Sequence, residues 1–161
     1  EPKKEARRAN FVCITRYSGS SYPPGISERL IKDFPLVKAT LRLDSLSNLN
    51  NGEVLDVKQL RDQPVVAFSG IANPDDFRKL LEKSGAQVVC YYPFPDHHEY
   101  ILSDIRQIED SASKSGAKFI LTTEKDAVKV NLSSTTLPFY KVALEMEILE
   151  GREIFNQQIL N

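Results

Sequence analysis

The sequence predicts an α/β fold in which a mostly parallel sheet is flanked by helices on both faces, giving three layers. Two observations lead to this prediction. Short runs of β-branched and aromatic residues alternate with longer amphipathic segments, and the connections between them are short. Residues 64–68 are continuously apolar, which is typical of a parallel strand covered on both faces.

Strands, loops and a helix alternate in the first third of the chain. Branched and aromatic runs predict the strands, while serine, glycine, proline and asparagine mark the loop and the turn. The predicted elements are a strand at residues 11–15, a loop at 17–25, a helix at 26–33, a strand at 37–43, a turn at 45–52 and an ambiguous segment at 54–62.

A helix with recognisable ends follows the apolar strand. Asn73 is a suitable N-cap, Pro74 suits the first helical position, and Gly85 is a suitable stop. The elements beyond it are a strand at 87–92, a helix with an apolar stripe of Ile101, Ile105 and Ile108 that ends near Gly116, strands at 118–122 and 138–148, and a helix at 152–159.

The composition is that of one soluble domain over residues 1–161. Hydrophobic residues make up 41% of the chain and charged residues 27%, and no apolar run approaches the roughly 20 residues that cross a bilayer. Residues 1–10 are charged and predict a basic lead-in helix rather than a signal peptide, while 131–161 supply a last strand and helix. The net charge of −1 argues against a nucleic-acid partner.

The two cysteines lie in separate apolar segments. Cys13 and Cys90 fall in strand-like runs and have no CxxC spacing. This placement is typical of reduced core cysteines rather than of a disulfide or a zinc site. We therefore expect both thiols to be buried and inert.

Both histidines of the chain occur in the segment FPDHHEY at residues 94–100, directly after a strand-like run. Two imidazoles and two carboxylates lie within four residues. Histidine titrates near neutral pH, and a neighbouring carboxylate can fix its tautomer and its charge. The segment therefore suggests a proton-transfer site, although a solvent-facing turn without function is the alternative that the pair alone leaves open.

Three loops with polar residues follow buried strands. They cover residues 69–73, 95–98 and 122–126, and in a parallel sheet the carboxyl ends of strands form the ligand-binding edge. The Ser69-Gly70 step can approach an anion, but the acidic residues that follow favour a simple tight turn. Residues 122–126 equally fit an ordinary helix-capping box with a surface salt bridge.

Other enzyme classes fit the sequence poorly. The Asp96-His97-His98 triplet resembles part of a two-metal phosphoesterase site, but the chain has no Asp-x-Asp motif and no third histidine. It also has no Gly-x-Ser-x-Gly nucleophile elbow and no glycine-rich phosphate-binding loop. No metal ligand is therefore predicted.

Three motifs resemble a known family in order and spacing. They are VAFSGIANP at residues 66–74, FPDHHEY at 94–100 and LTTEKDAVK at 121–129. Together they resemble the C-terminal half of tetraacyldisaccharide 4′-kinases, the lipid A 4′-kinases of Gram-negative bacteria. The resemblance is tight over about residues 60–130, and residues 1–2 and 7–15 also resemble the middle region of that family. Residues 16–60 and 131–161 resemble it only in general layout.

The resemblance implies a Rossmann-like half of a P-loop kinase. Such enzymes transfer phosphate from ATP to the 4′-hydroxyl of an acylated glucosamine disaccharide 1-phosphate, as peripheral proteins on the cytosolic face of the inner membrane. It also implies an N-terminal half that holds ATP and Mg²⁺. We therefore expect this chain to contain no cofactor and to be soluble and inactive alone. A non-catalytic α/β binding or scaffold module is the alternative.

The resemblance also implies roles for particular residues. His97 matches the histidine of the family motif and is the expected catalytic residue, and Asp96 is expected to orient its ring. Weaker candidates for lining the active-site edge are His98, Ser69, Thr123, Glu124, Lys125 and Asp126.

Overall fold

The computed structural model describes residues 9–15, 33–132, 135 and 137–159. Contacts divide the chain into two compact units, Leu43–Leu144 and a smaller unit formed by Glu1–Arg42 with Glu145–Asn161. The predicted loop at 17–25 lies outside the described residues, as do nearly all of the predicted helices at 1–10 and 26–33. The single domain over 1–161 stays a prediction.

The described elements follow the predicted alternation of strands and helices. They are β1 (Val12–Ile14), β2 (Leu36–Asn48), β3 (Val54–Asp56), a 3₁₀-helix (Val57–Leu60), β4 (Pro64–Ser69), α1 (Pro74–Lys83), β5 (Gln87–Pro93), α2 (Leu102–Ser115), β6 (Phe119–Thr123), α3 (Glu124–Ala127), β7 (Phe139–Glu150) and α4 (Arg152–Ile159). The predicted bounds of the last helix are confirmed.

The larger unit is built on a sheet with the strand order β2-β7-β6-β4-β5, and β3 pairs with β2. The pairs β7–β6, β6–β4 and β4–β5 are parallel, whereas β3 runs antiparallel to β2. The prediction of a mostly parallel sheet is therefore confirmed for this unit.

Helices cover both faces of this sheet. Successive side chains of a strand point to opposite faces, so the apolar run in β4 contributes to two separate cores. The α1 face includes Val65, Ala67, Phe77 and Leu81, and the α2 face includes Val66, Phe68, Ile105 and Ile108. Burial of each large side chain contributes about 1.5–3 kcal/mol, which fixes both helices against the sheet.

The helix ends differ in part from the sequence prediction. Pro74 begins α1 as predicted, but the side chain of Asn73 makes no capping hydrogen bond. Ile101 does not belong to the buried stripe of α2, because it occupies the N-cap position with 62% of its surface exposed. Its N–H donates to the carboxylate of Asp104, which takes over the capping role. Gly116 ends α2 in the left-handed conformation with φ 66°.

The predicted turn at 45–52 is wrong in its first half. Strand β2 continues to Asn48, because Ser45 and Ser47 pair with β3 while Leu46 is fully buried between them. The chain reverses only after Asn48, whose side-chain oxygen accepts the N–H of Asn50. A half-buried strand needs an apolar residue only at every second position, so small polar residues between them resemble a turn.

The smaller unit contains β1, the first part of β2, the end of β7 and α4. Strand β1 runs parallel to β2, and Phe11 packs edge-on against Phe155 of α4. Cys13 is exposed, contrary to the prediction, because Ile14 is the residue of this short strand that faces the interior. Cys90, in the larger unit, is only partly buried. Both thiols are free.

Candidate active site

Three loops meet at one edge of the sheet in the larger unit. After β4 and β5, the N–H of Phe94 donates to the carbonyl of Ser69 at 2.8 Å, and the N–H of His97 donates to the carbonyl of Gly70 at 3.2 Å. After β6, the carboxylate of Asp126 accepts the N–H of Gly70 at 3.0 Å. The predicted shared edge is therefore confirmed by direct hydrogen bonds.

Gly70 lies at the point where these loops are closest. A Cβ atom there would lie 3.1 Å from the carbonyl oxygen of Pro95 and 3.2 Å from both the carboxylate of Asp126 and the Cβ of His98. The glycine thus allows a close approach of three segments. Because its N–H is bonded to Asp126, that amide does not bind an anion, and the preceding Ser69 is fully buried with its hydroxyl bonded to Tyr91.

Asp96 is held between a lysine and a histidine. Its Oδ1 accepts hydrogen bonds from the ammonium of Lys125 at 2.8 Å and from the backbone N–H of His97 at 3.0 Å. Its Oδ2 lies 3.8 Å from Nε2 of His97. The hydrogen bond from Lys125 holds the pKa of the Asp96 carboxyl below its usual value, so the group beside the imidazole is an ionised carboxylate.

His97 projects from this edge. Three-quarters of its side chain is exposed (75%), and its backbone has φ 63°, which is uncommon for a residue with a side chain. The hydrogen bond to Gly70 and the carboxylate of Asp96 hold the backbone in this conformation. The imidazole is therefore accessible to a ligand and lies beside a negative charge.

His98 has a different environment. Its Nε2 lies 2.8 Å from Oδ2 of Asp104, and its ring stacks on Phe94 with centroids 4.5 Å apart and meets the edge of Tyr100. Only 25% of its side chain is exposed. His98 thus ties the loop to the start of α2.

The predicted residues after β6 divide into exposed and buried ones. Lys125 and Glu124 are exposed, and Glu124 lies 3.4 Å from Lys141. Asp126 is fully buried and Thr123 almost so. Ser69, Thr123 and Asp126 are therefore buried beneath the exposed surface of this edge, and their part in the site stays a prediction.

Three residues of this edge, Tyr91, Asp104 and Tyr100, were not among those predicted from the sequence. Tyr91 donates its hydroxyl to the carbonyl of Pro74, and no sequence signal indicates this contact. Asp104 lies three residues after the N-cap position, which is the spacing at which an acidic side chain accepts the N–H of the cap residue. Burial, together with the charge of Asp126, raises the pKa of the Tyr100 phenol, so this group stays protonated.

This arrangement provides an exposed imidazole next to an ionised carboxylate at the strand ends. Such a pair can orient or accept a proton from a bound hydroxyl group. In the described ranges no group of three or more histidine, cysteine or acidic side chains converges as metal ligands do. None of the helices that the structure describes is both long and apolar enough to cross a membrane.

Comparison with known proteins identifies the family. The family model described as tetraacyldisaccharide-1-P 4′-kinase, LpxK, matches residues 1–161. The chain belongs to the tetraacyldisaccharide 4′-kinase family. This confirms the family that the three motifs predicted.

Several relatives and one solved structure are similar to this LpxK-family chain. The tetraacyldisaccharide 4′-kinase of Syntrophus aciditrophicus is 32% identical over 158 residues, which cover 91% of this chain and 42% of the relative. That of Geobacter sulfurreducens is 33% identical over 151 residues, covering 93% and 41%. The chain thus spans less than half the length of these relatives.

The solved structure is that of LpxK from Aquifex aeolicus in complex with ATP. It aligns with a TM-score of 0.57 and 25% identity over 99% of this chain and 44% of that chain. The predicted fold class, a mostly parallel α/β sheet with flanking helices related to a P-loop kinase, is therefore confirmed.

Proposed function

We propose that this chain is the C-terminal part of an ATP-dependent kinase that phosphorylates the 4′-hydroxyl of an acylated glucosamine disaccharide 1-phosphate, the lipid A precursor. Relatives named tetraacyldisaccharide 4′-kinase support the reaction, and the ATP complex of the Aquifex protein supports the phosphoryl donor. Within the chain, the observation that carries the proposal is the exposed His97 beside ionised Asp96 at the strand ends.

The loops at this edge do not fit the triphosphate of ATP. A phosphate cradle needs several free backbone amides and a free cation. Here the amide of Gly70 is bonded to Asp126, and the ammonium of Lys125 is bonded to Asp96. Asp96 and Glu124 add negative charge. We therefore assign ATP and Mg²⁺ to an N-terminal half of the kinase, which would be the partner of this chain.

His97 would act on the sugar hydroxyl. Phosphoryl transfer depends mainly on positioning and charge stabilisation, assisted by a group that orients the attacking hydroxyl. The imidazole would do this together with a carboxylate from the N-terminal half, either as a dyad or by steadying the base. Asp96 would orient the ring, and the ammonium of Lys125, which donates to Oδ1, would hold the Asp96 carboxylate in place.

The same proposal predicts where the intact kinase is located and how the isolated chain behaves. The intact kinase would contact the cytosolic face of the inner membrane peripherally, with a lipid substrate and no nucleic-acid partner. The isolated chain would not bind MgATP tightly and would not turn over. Isothermal titration calorimetry tests this directly, because micromolar binding of MgATP to these 161 residues would refute the assignment of ATP to the other half.

The two adjacent histidines provide the kinetic test. In the kinase that contains both halves, His97→Ala should lower kcat by about 100-fold or more, the usual contribution of proton-transfer groups. His98→Ala removes contacts to Phe94, Tyr100 and Asp104, so its main effect should be a lower unfolding temperature and a much smaller loss of kcat. Equal losses of kcat would contradict the assignment.

A kinase that keeps full activity with His97→Ala would favour the alternative, in which this domain is a non-catalytic binding or scaffold module. A chain that binds manganese through residues 96–98 would instead favour a metal-dependent phosphoesterase. Metal analysis of the purified protein after manganese supplementation distinguishes the latter case.

A further inference from the structure

A fully buried carboxylate lies under the histidine loop. Asp126 has no exposed surface, and its Oδ2 accepts the N–H of Gly70 at 3.0 Å and the hydroxyl of Thr123 at 2.7 Å. Its Oδ1 lies 3.8 Å from the ammonium of Lys129, and the carboxylate also interacts with the buried phenol of Tyr100. Burying a carboxylate is unfavourable unless its partners compensate, so these contacts are needed to hold Asp126 in this position.

The bond to Gly70 distinguishes this arrangement from an ordinary helix cap. Thr123 and Asp126 form the expected local pair, in which the N–H of Asp126 donates to the hydroxyl of Thr123 at 3.1 Å. In a capping box the second side chain accepts the backbone N–H of the cap residue itself. Asp126 instead accepts an N–H from the end of another strand.

Gly70 connects Asp126 to His97. Its N–H donates to Asp126 and its carbonyl accepts the N–H of His97 at 3.2 Å, so two hydrogen bonds separate the buried carboxylate from the backbone of the exposed histidine. The close contacts around Gly70 leave little room for movement. A non-glycine residue at φ 63° persists only where its surroundings hold it in that conformation.

We propose that Asp126 is the positioning residue of the histidine site: it fixes Gly70 and, through Gly70, the backbone of His97. This inference rests on the proposed function of His97. Asp126 touches no ligand itself, and its effect on the reaction passes through the histidine loop.

A double-mutant cycle in the intact kinase tests the proposal. A displacement of a reacting group by about 1 Å can reduce a rate by about 100-fold, so Asp126→Asn should lower kcat by about 10- to 100-fold with little change in KM for MgATP. In a His97→Ala background the same change should have almost no further effect. Asp110→Asn, an exposed carboxylate of α2, is the matched control and should leave kcat unchanged.

The outcomes separate the two proposals. If His97→Ala alone leaves kcat unchanged, the proposed function fails. If His97→Ala lowers kcat but Asp126→Asn lowers it equally in both backgrounds, the positioning role is wrong and Asp126 acts otherwise.

A second measurement on the unmodified protein does not depend on the folding of a variant. The amides of Gly70 and His97 should exchange with solvent far more slowly than those of an unstructured peptide, and exchange at the peptide rate would overturn the proposal.

Discussion

Substituting Gly70 by alanine tests how tightly the candidate site is built. The new methyl group would lie 3.1 Å from the carbonyl oxygen of Pro95 and 3.2 Å from the Asp126 carboxylate and the Cβ of His98, whereas ordinary contacts of a Cβ atom begin near 3.4 Å. The neighbours must therefore move by a few tenths of an ångström. Two of them belong to the histidine loop, and the third is held by Thr123 and by Gly70 itself.

The expected cost follows from these contacts. Overpacking at a closely packed position costs about 1–3 kcal/mol. The backbone of Gly70 is not in the left-handed region, so alanine adds no strain there and stiffens the unfolded chain, which stabilises by about 0.4–1 kcal/mol. The net loss should be about 1–2 kcal/mol, with the histidine loop displaced outward.

Urea unfolding measures the loss of stability. Circular dichroism is the suitable signal, because the chain has no tryptophan for fluorescence. The NMR signals of the His97 and His98 imidazoles report the displacement of the histidine loop. Gly116→Ala is the matched control: a Cβ there meets no atom within 4 Å, but its φ of 66° should cost about 1–2 kcal/mol without affecting the histidine signals. Gly70→Ala with unfolding free energy within about 0.5 kcal/mol of the parent and unchanged imidazole signals would refute the reasoning.

Two further predictions concern charge and packing. Lys125→Met removes the ammonium that donates to Asp96, so the pKa of this carboxyl should rise toward its ordinary value of about 3.9, as carbon NMR of the side chain can measure; an unmoved midpoint would contradict the pairing. Because the pKa is lowered in the folded chain, the stabilisation from this pair is present above pH about 4 and is lost as pH falls through the folded pKa. Ile105→Ala, in the core, should cost about 2–5 kcal/mol in urea unfolding, whereas Ile101→Ala, on the surface, should cost less than about 0.5 kcal/mol; similar costs would refute the assigned burial.

The layered fold could be predicted from sequence because β4 has helices on both faces and is therefore apolar from Pro64 to Phe68. Val65 and Ala67 pack in one core and Val66 and Phe68 in the other, so the two cores together require a continuous apolar run. The length of β2 could not be predicted in the same way. Ser45 and Ser47 do not face the core that Leu46 enters, so their polarity reflects one side of a strand rather than a turn.

The shared edge could also be predicted, since parallel strands end at the same side of a sheet. How deeply each side chain is buried could not be predicted. A threonine followed three residues later by an acidic residue has the same local sequence at a surface helix and at a buried one. Asp126 is buried because the loops after β4 and β5 cover it, and those contacts are formed by residues more than twenty positions away.

The two histidines differ for the same reason, and their difference explains how the loop could position a reacting group. His98 is fixed by Asp104 on one side and by the ring of Phe94 on the other, which anchors the loop to α2. The backbone of His97 is tied to Gly70, which anchors the same loop to β4. Because adjacent residues are held by two different elements, the backbone position from which the His97 side chain extends is fixed, although the ring itself is mostly exposed. In the proposed role, a mobile surface histidine would have to be ordered by the substrate, at a cost in binding, whereas a histidine whose backbone is already held would lower that cost.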